Sequence, residues 1–247
     1  MTRLIALPYS PWSEKARWAL DHHRIDYRYS EHAPLVGDLR LRILLRKPKG
    51  RVTVPALEDG GRWFTDSLEI AKHADRIGAG SRLFPGDKLG AIEAWNKKSE
   101  QVLAAGRAVM ILQSVESPEA VAASLPPVVP APLKPLLAPV AKRFLEAFIA
   151  KYQMRDGAGS HMRTVTGVLD DLRAALSGNK RYLLGDELSY ADIAMAVVFQ
   201  FVSPVDARYM AIGPGGRAGW THRELLERYG DLVAWRDELY SKHRKRG

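Results

Sequence analysis

Leu4-Ile5-Ala6-Leu7-Pro8-Tyr9-Ser10-Pro11-Trp12-Ser13-Glu14-Lys15-Ala16-Arg17-Trp18-Ala19-Leu20 divides into a short apolar run, a Pro/Ser turn and an apolar pattern at helical spacing. That order predicts strand, turn, helix. Ser10 stands where an N-cap belongs, Pro11 has the fixed φ and missing N–H that suit the first helical position, and Glu14 and Lys15 begin the polar face. The helix therefore starts at Ser10 or very near it. A helix N-terminus presents unpaired N–H groups and about half a positive charge, which stabilises an anion, a thiolate included. Ser10 is thus open to two readings: a plain helix cap, or a hydroxyl pointed at such an anion.

Outward from this stretch, the helix ends near His22-His23 and Tyr27-Arg28-Tyr29 reads as a second short strand, the spacing of a βαβ unit with a parallel pair. The two histidines lack a partner at i+4 on their face and read as a polar helix end rather than a metal site. Residues 35 to 46 suggest a second, less regular helix. Between Leu39 and Leu57 stand Arg40, Arg42, Arg46, Lys47, Lys49 and Arg51 with no acid, either a solvated basic face or the rim of a pocket for a carboxylate or phosphate. Gly50 would let the backbone approach such a ligand.

Val52 to Thr65 reads as two β-type runs joined by Asp59-Gly60-Gly61, a hairpin signal. Pro55 falls inside the first run, where it cannot donate to a ladder, and marks an edge, a bulge or a cis bond. The backbone of Val54 is then free to pair with a peptide-like ligand. Asp66-Ser67 precedes an apolar stripe of Leu68, Ile70, Ala71, Ala74 and Ile77, and either residue suits a helix cap. The same geometry suits the ammonium and carboxylate of an amino acid.

Gly78 to Lys88 is turn-rich and is read as a linker, giving domains at 1–80 and 88–247. Beyond it the β signals fade. Helices are expected over 89–115, 140–154 and 161–177, with Phe144, Phe148 and Tyr152 in the core. Between the first two, residues 118 to 139 hold seven prolines and almost no charge. The densest part excludes a regular helix, leaving a loop that packs on its own domain, walls a hydrophobic pocket or meets a partner subunit. Ser189 and Asp192 form an acidic capping box with a Leu188–Ile193 staple, predicting a buried central helix over 193–202. Gly213 to Gly216 follows no strand and reads as a flexible connection. A last helix runs from about Thr221 into Lys242-His243-Arg244-Lys245-Arg246, which reads as a frayed, solvated end whose bases complement the dipole, with a binding tail as the alternative.

A chain of 247 residues can bury a substantial core without staples. Cysteine is absent, which excludes disulfides, thiolate metal ligation and an enzyme thiol nucleophile; any sulfur chemistry must come from a substrate. No apolar run is long enough to span a membrane and no signal-type segment is present, so a soluble, cytoplasmic protein is expected. The formal charge of +9 favours anionic ligands. No specific nucleic-acid contact is expected.

The order of Ser10-Pro11-Trp12-Ser13 with Arg17, Val54-Pro55-Ala56-Leu57, Asp66-Ser67 and Leu188-Ser189-Tyr190-Ala191-Asp192-Ile193 is similar to that of the cytosolic glutathione transferase superfamily. The resemblance covers essentially the whole chain. It implies an α/β thioredoxin-like N-terminal domain that binds glutathione and an all-α C-terminal domain that supplies most of a hydrophobic pocket. Ser10-Pro11-Trp12-Ser13 aligns with the Cys-Pro-aromatic-Cys motif of glutaredoxin-like relatives, which carries Ser10 to the residue that donates to the glutathione thiolate. Tyr9 is the alternative. Trp12 falls in the glutathione site, Val54 before Pro55 pairs with the cysteinyl backbone, and Asp66 and Ser67 hold the γ-glutamyl end. The glycyl carboxylate falls to Arg51, Lys49 or Arg42, because Lys47-Pro48-Lys49-Gly50-Arg51-Val52-Thr53-Val54-Pro55 is longer between Gly and Pro than the family's usual run. The resemblance implies a transferase acting on a hydrophobic electrophile or peroxide, detoxification, a homodimer, glutathione as co-substrate and no metal. A non-catalytic module of the same fold, binding apolar ligands or partners, is the other reading.

Overall fold

The computed structural model describes residues 1–33, 37–123, 125, 129–178, 180–210, 212, 217 and 219–244. Four strands, β1 (Arg3–Ala6), β2 (Arg28–Glu31), β3 (Ala56–Asp59) and β4 (Arg62–Phe64), form one sheet in the order β2-β1-β3-β4. β1 runs parallel to β2, with Leu4 opposite Tyr29, and antiparallel to β3, with Leu4 opposite Leu57. The βαβ reading thus holds, through α1 (Pro11–His22).

Period-two alternation decides what each face of the sheet buries. Leu4, Ala6, Leu57 and Phe64 join the main core with α1 and α3 (Ser67–Ile77), whereas Ile5 and Ala56 meet Leu41 of α2 (Asp38–Leu44) and Val52 in a separate cluster. Gly60 and Gly61, at φ +56° and +80°, close the two-residue β3–β4 turn, a conformation that a Cβ would strain. The first β-run is shorter than expected: the ladder begins at Ala56, and Val54-Pro55, joined by a cis peptide bond, lies before it rather than inside it.

The helical part begins with α4 (Leu89–Glu116), packed against α7 (Ala158–Ala175) and α8 (Tyr190–Ala196). Its buried face differs from the expected one. Asn96, Ser99, Ala105, Gly106 and Ala108 are buried with Ile92, Val102 and Leu103, while Trp95, Val109, Met110 and Leu112 are only half-buried. Small residues let α4 approach its neighbours closely; a Cβ on Gly106 would stand 2.4 Å from the Phe201 ring.

The capping box at Ser189 is present. Asp192 accepts from the Ser189 N–H at 2.8 Å, the Ser189 hydroxyl at 2.8 Å and the Leu183 N–H at 2.7 Å. The helix it starts is shorter than predicted, because the backbone tightens to a 3₁₀ turn over Val197–Phe201. The run is buried throughout, as its uniform apolarity requires.

The proline-rich stretch needs correcting. A short α5 (Pro118–Ala123) opens it, and α6 (Lys134–Lys151) starts earlier than residue 140, with Pro135 in the first turn and Pro139 inside the helix. Proline in a first turn loses no intrahelical bond, and one turn further along the helix loses only one. α5 and α6 pack on each other and on α4, yet Leu133, Leu136, Val140 and Phe144 stay exposed, so Phe144 is not core.

The chain ends in two helices, α9 (Arg223–Arg228) and α10 (Gly230–His243), rather than one. The end is not solvated at Arg244, which is buried and paired with Glu14 at 2.7 Å and with Asp21. Gly213 to Gly216 and Lys245 to Gly247 lie outside the described residues. No described helix is long and apolar enough to cross a membrane, and no group of three histidine, cysteine or carboxylate side chains among the described residues is placed to hold a metal.

Candidate active site

α1 begins as its sequence requires: Ser10 is the N-cap in extended conformation and Pro11 is the first helical residue. The Ser13 N–H donates to Ser10 Oγ at 3.4 Å, the weak end of the range, so the Ser10 hydroxyl keeps its own proton for another acceptor. Ser13 has a different task. It is buried, and its Oγ accepts the Leu7 N–H at 3.1 Å, tying the loop before the helix to the first turn. Of the two serines in the motif, Ser10 alone is half-exposed.

Trp12 leans away from that turn onto α4, donating from Nε1 to Glu100 Oε2 at 2.6 Å. Glu100 Oε1 accepts from Lys15 Nζ at 2.7 Å, and the Lys15 ammonium also donates to Ser99 at 2.6 Å and Asn96 at 3.2 Å. Burial pushes the Lys15 amine below its ordinary range, and Glu100 opposes that shift. This network fixes α1 on α4, and with it the direction of the helix N-terminus.

The other expected residues are distributed around this centre. Asp66 is exposed and caps α3, accepting from the N–H groups of Leu68 at 2.8 Å and Glu69 at 3.2 Å. Ser67 is buried, with its hydroxyl beside the buried Tyr190 phenol of α8 and neither oxygen completing a hydrogen bond of normal geometry. Its backbone N–H, at the first helical position, has no intrahelical acceptor. Asp66 is close enough for its charge to act on Lys15. Val54 is half-buried against the cluster of Ile5, Leu41, Val52 and Ala56, and Pro55 is buried.

Tyr9 packs edge-on against Trp220 with centroids 5.8 Å apart, and burial, with Glu31 nearby, raises its phenol, so it too stays protonated at neutral pH. Arg51 is exposed and lays its guanidinium 4.6 Å from the Tyr152 ring centroid, which links the N-terminal basic run to the helical part. Lys49 is exposed and Arg42 half-buried.

Residues 4–82 match the glutathione S-transferase N-terminal domain family, and residues 135–238 match the glutathione S-transferase C-terminal domain family. The chain belongs to the glutathione transferase superfamily. Among solved structures it is similar to a β-etherase from Sphingobium sp. strain SYK-6 (18% identity over 98% of this chain and 95% of that one, TM-score 0.62). It is also similar to a glutathione S-transferase from Methylobacterium radiotolerans in complex with glutathione sulfonate (16%, 98% and 91%, TM-score 0.60) and to one from Methylobacillus flagellatus with glutathione bound (15%, 99% and 96%, TM-score 0.59). At these identities the likeness is one of fold. No curated protein matches the chain by sequence.

Around the motif turn, the structure adds residues that sequence reading passed over. Lys15 and Glu100 carry ordinary surface signals, a charge on a helix face among other charges. Arg107 does too, yet its guanidinium lies 4.8 Å from the Trp12 ring centroid and 4.0 Å from that of Tyr152. Tyr152, read as core, is half-buried beside Phe148, with ring centroids 4.6 Å apart.

Proposed function

We propose that the N-terminal domain, at 1–80, binds glutathione and that the Ser10 hydroxyl donates to its thiolate at the α1 N-terminus. A cytoplasmic homodimeric enzyme then uses that thiolate to attack a hydrophobic electrophile or peroxide held against the helical domain at 88–247. The observation that supports this reading most is the unspent Ser10 proton over the first turn of α1, where helix N–H groups and dipole act on the same point. A donor there lowers the thiol pKa and raises the fraction of nucleophile at neutral pH. The glutathione bound in the Methylobacillus flagellatus structure and the glutathione sulfonate of the Methylobacterium radiotolerans structure support this choice of co-substrate.

In this reading Trp12 borders the thiol, Val54 pairs with the cysteinyl backbone before Pro55, and Asp66 with the Ser67 N–H receives the γ-glutamyl end. Arg51 is the preferred partner of the glycyl carboxylate, because its guanidinium reaches the Tyr152 ring, which Arg107 of α4 also meets. Retention on immobilised glutathione together with turnover of a generic aryl halide tests the proposal. Calorimetry that finds no glutathione binding at millimolar concentration overturns it. Binding without turnover would favour the non-catalytic module. Sedimentation reads the oligomeric state.

A further inference from the structure

The corner where α4 and the end of α6 meet the motif turn carries a cation without an acid. Arg107 extends from α4 among the rings of Trp12, Tyr152 and Phe148, with its guanidinium carbon 4.8, 4.0 and 6.0 Å from their centroids. Its Nε is shielded from solvent and makes no hydrogen bond among the described residues. The carboxylate nearest in effect, Glu100, has one oxygen on Lys15 and the other on the Trp12 indole. Arg51 approaches the same Tyr152 ring at 4.6 Å. Among the described residues neither arginine has a carboxylate within ion-pair distance.

Three aromatic faces offset part of a guanidinium's lost hydration, and the Tyr152 side chain assists, but none of them supplies an opposite charge or an acceptor for the buried Nε. A planar ligand group lying along those faces, with a carboxylate at its far edge, supplies what is missing: stacking for the rings and two acceptors for the fork. Trp12 stands in the first turn of α1, so that ligand would sit next to any thiolate held at Ser10.

Resting on the glutathione reading above, we infer that the second substrate is an aromatic electrophile carrying a carboxylate, and that Arg107 is the residue that selects it. With an activated aryl fluoride the step balances simply. The thiolate sulfur forms the bond to the ring carbon, fluoride leaves with its electron pair, and the thiol proton has already passed to solvent.

A matched pair of substrates, para-fluoro-meta-nitrobenzoate and its methyl ester, isolates the charge. Each kcat/KM is divided by the uncatalysed rate with glutathione, and the wild type is expected to favour the acid. In Arg107→Gln the acid-to-ester ratio should fall roughly tenfold through KM for the acid, with Arg107→Lys between the two. An unchanged ratio overturns the inference. So does a loss that appears in KM for glutathione with both electrophiles, which would make Arg107 a glutathione contact.

Calorimetry on the wild type gives a readout that needs neither catalysis nor a folded variant. S-(para-carboxybenzyl)glutathione should bind more tightly than S-benzylglutathione, and equal affinity contradicts the arginine's role. If neither conjugate binds, the glutathione reading itself fails. Binding of the nitrobenzoate alone, lost in Arg107→Gln, then decides the anion site separately, and its absence removes it.

Discussion

Two sides of the seam around α1 treat buried positive charge in opposite ways. On the side of α4 and the C-terminal helix, Lys15 meets three oxygen acceptors and Arg244 meets the carboxylates of Glu14 and Asp21. On the side of Tyr152, Arg107 meets rings. Burying an ammonium or guanidinium is unfavourable unless hydrogen bonds and opposite charge replace the lost water. The first side satisfies that condition within the chain and is structural. The second satisfies it only in part, and that difference marks the place where a ligand completes the shell.

The contrast is testable through stability. Arg244→Ala leaves Glu14 fully buried without its main partner, and unfolding free energy from urea denaturation should drop by about 3 kcal/mol. A drop below about 1 kcal/mol would show that the C-terminal bolt is not holding α1. Lys15→Met should lose about 2 kcal/mol, less because Glu100 is 40% exposed and water replaces part of its pairing. Arg107→Met should change stability by less than about 1 kcal/mol, since lost ring contacts are offset by relief of desolvation. A deficit as large as that of Lys15 would erase the distinction between the two sides.

The smallest effect is a pH dependence. Burial is the leading cause that lowers His23, His32 and His243 below the ordinary 6.5. Folded-state values below the unfolded one mean that the stabilisation is complete above 6.5 and is lost as pH falls through the lowered values. The thermal midpoint should therefore decline modestly from about pH 7.5 to about pH 5.5. A midpoint that rises on acidification would contradict the assigned direction.

Much of the fold was legible where local chemistry and tertiary demand agree. Ser10-Pro11, Asp59-Gly60-Gly61, Asp66 and the Ser189–Asp192 box each specify an element boundary from within a few residues. Legibility failed where the deciding partner is remote. Arg244 reads as a frayed base because Glu14 lies 230 residues away, and Glu100 reads as a surface charge because Lys15 and Trp12 belong to another helix. Pro135 and Pro139 suggested a loop because the penalty of proline falls sharply at a helix start, and the start itself was misplaced. Ser67 was legible as a helix start, but the burial of its hydroxyl against Tyr190 depends on how α3 meets α8. Residue types told which side chains can do chemistry, and packing decided which of them meet around the motif turn.

The account rests on Ser10 acting on a bound thiol, and an ultraviolet titration of enzyme-bound glutathione reads that directly. The wild type should show thiolate absorbance with a pKa well below that of free glutathione, Ser10→Ala should raise it by about one unit or more, and Tyr9→Phe should leave it nearly unchanged. A titration that Ser10→Ala does not move, with the shift appearing in Tyr9→Phe instead, would contradict the account and pass the role to Tyr9.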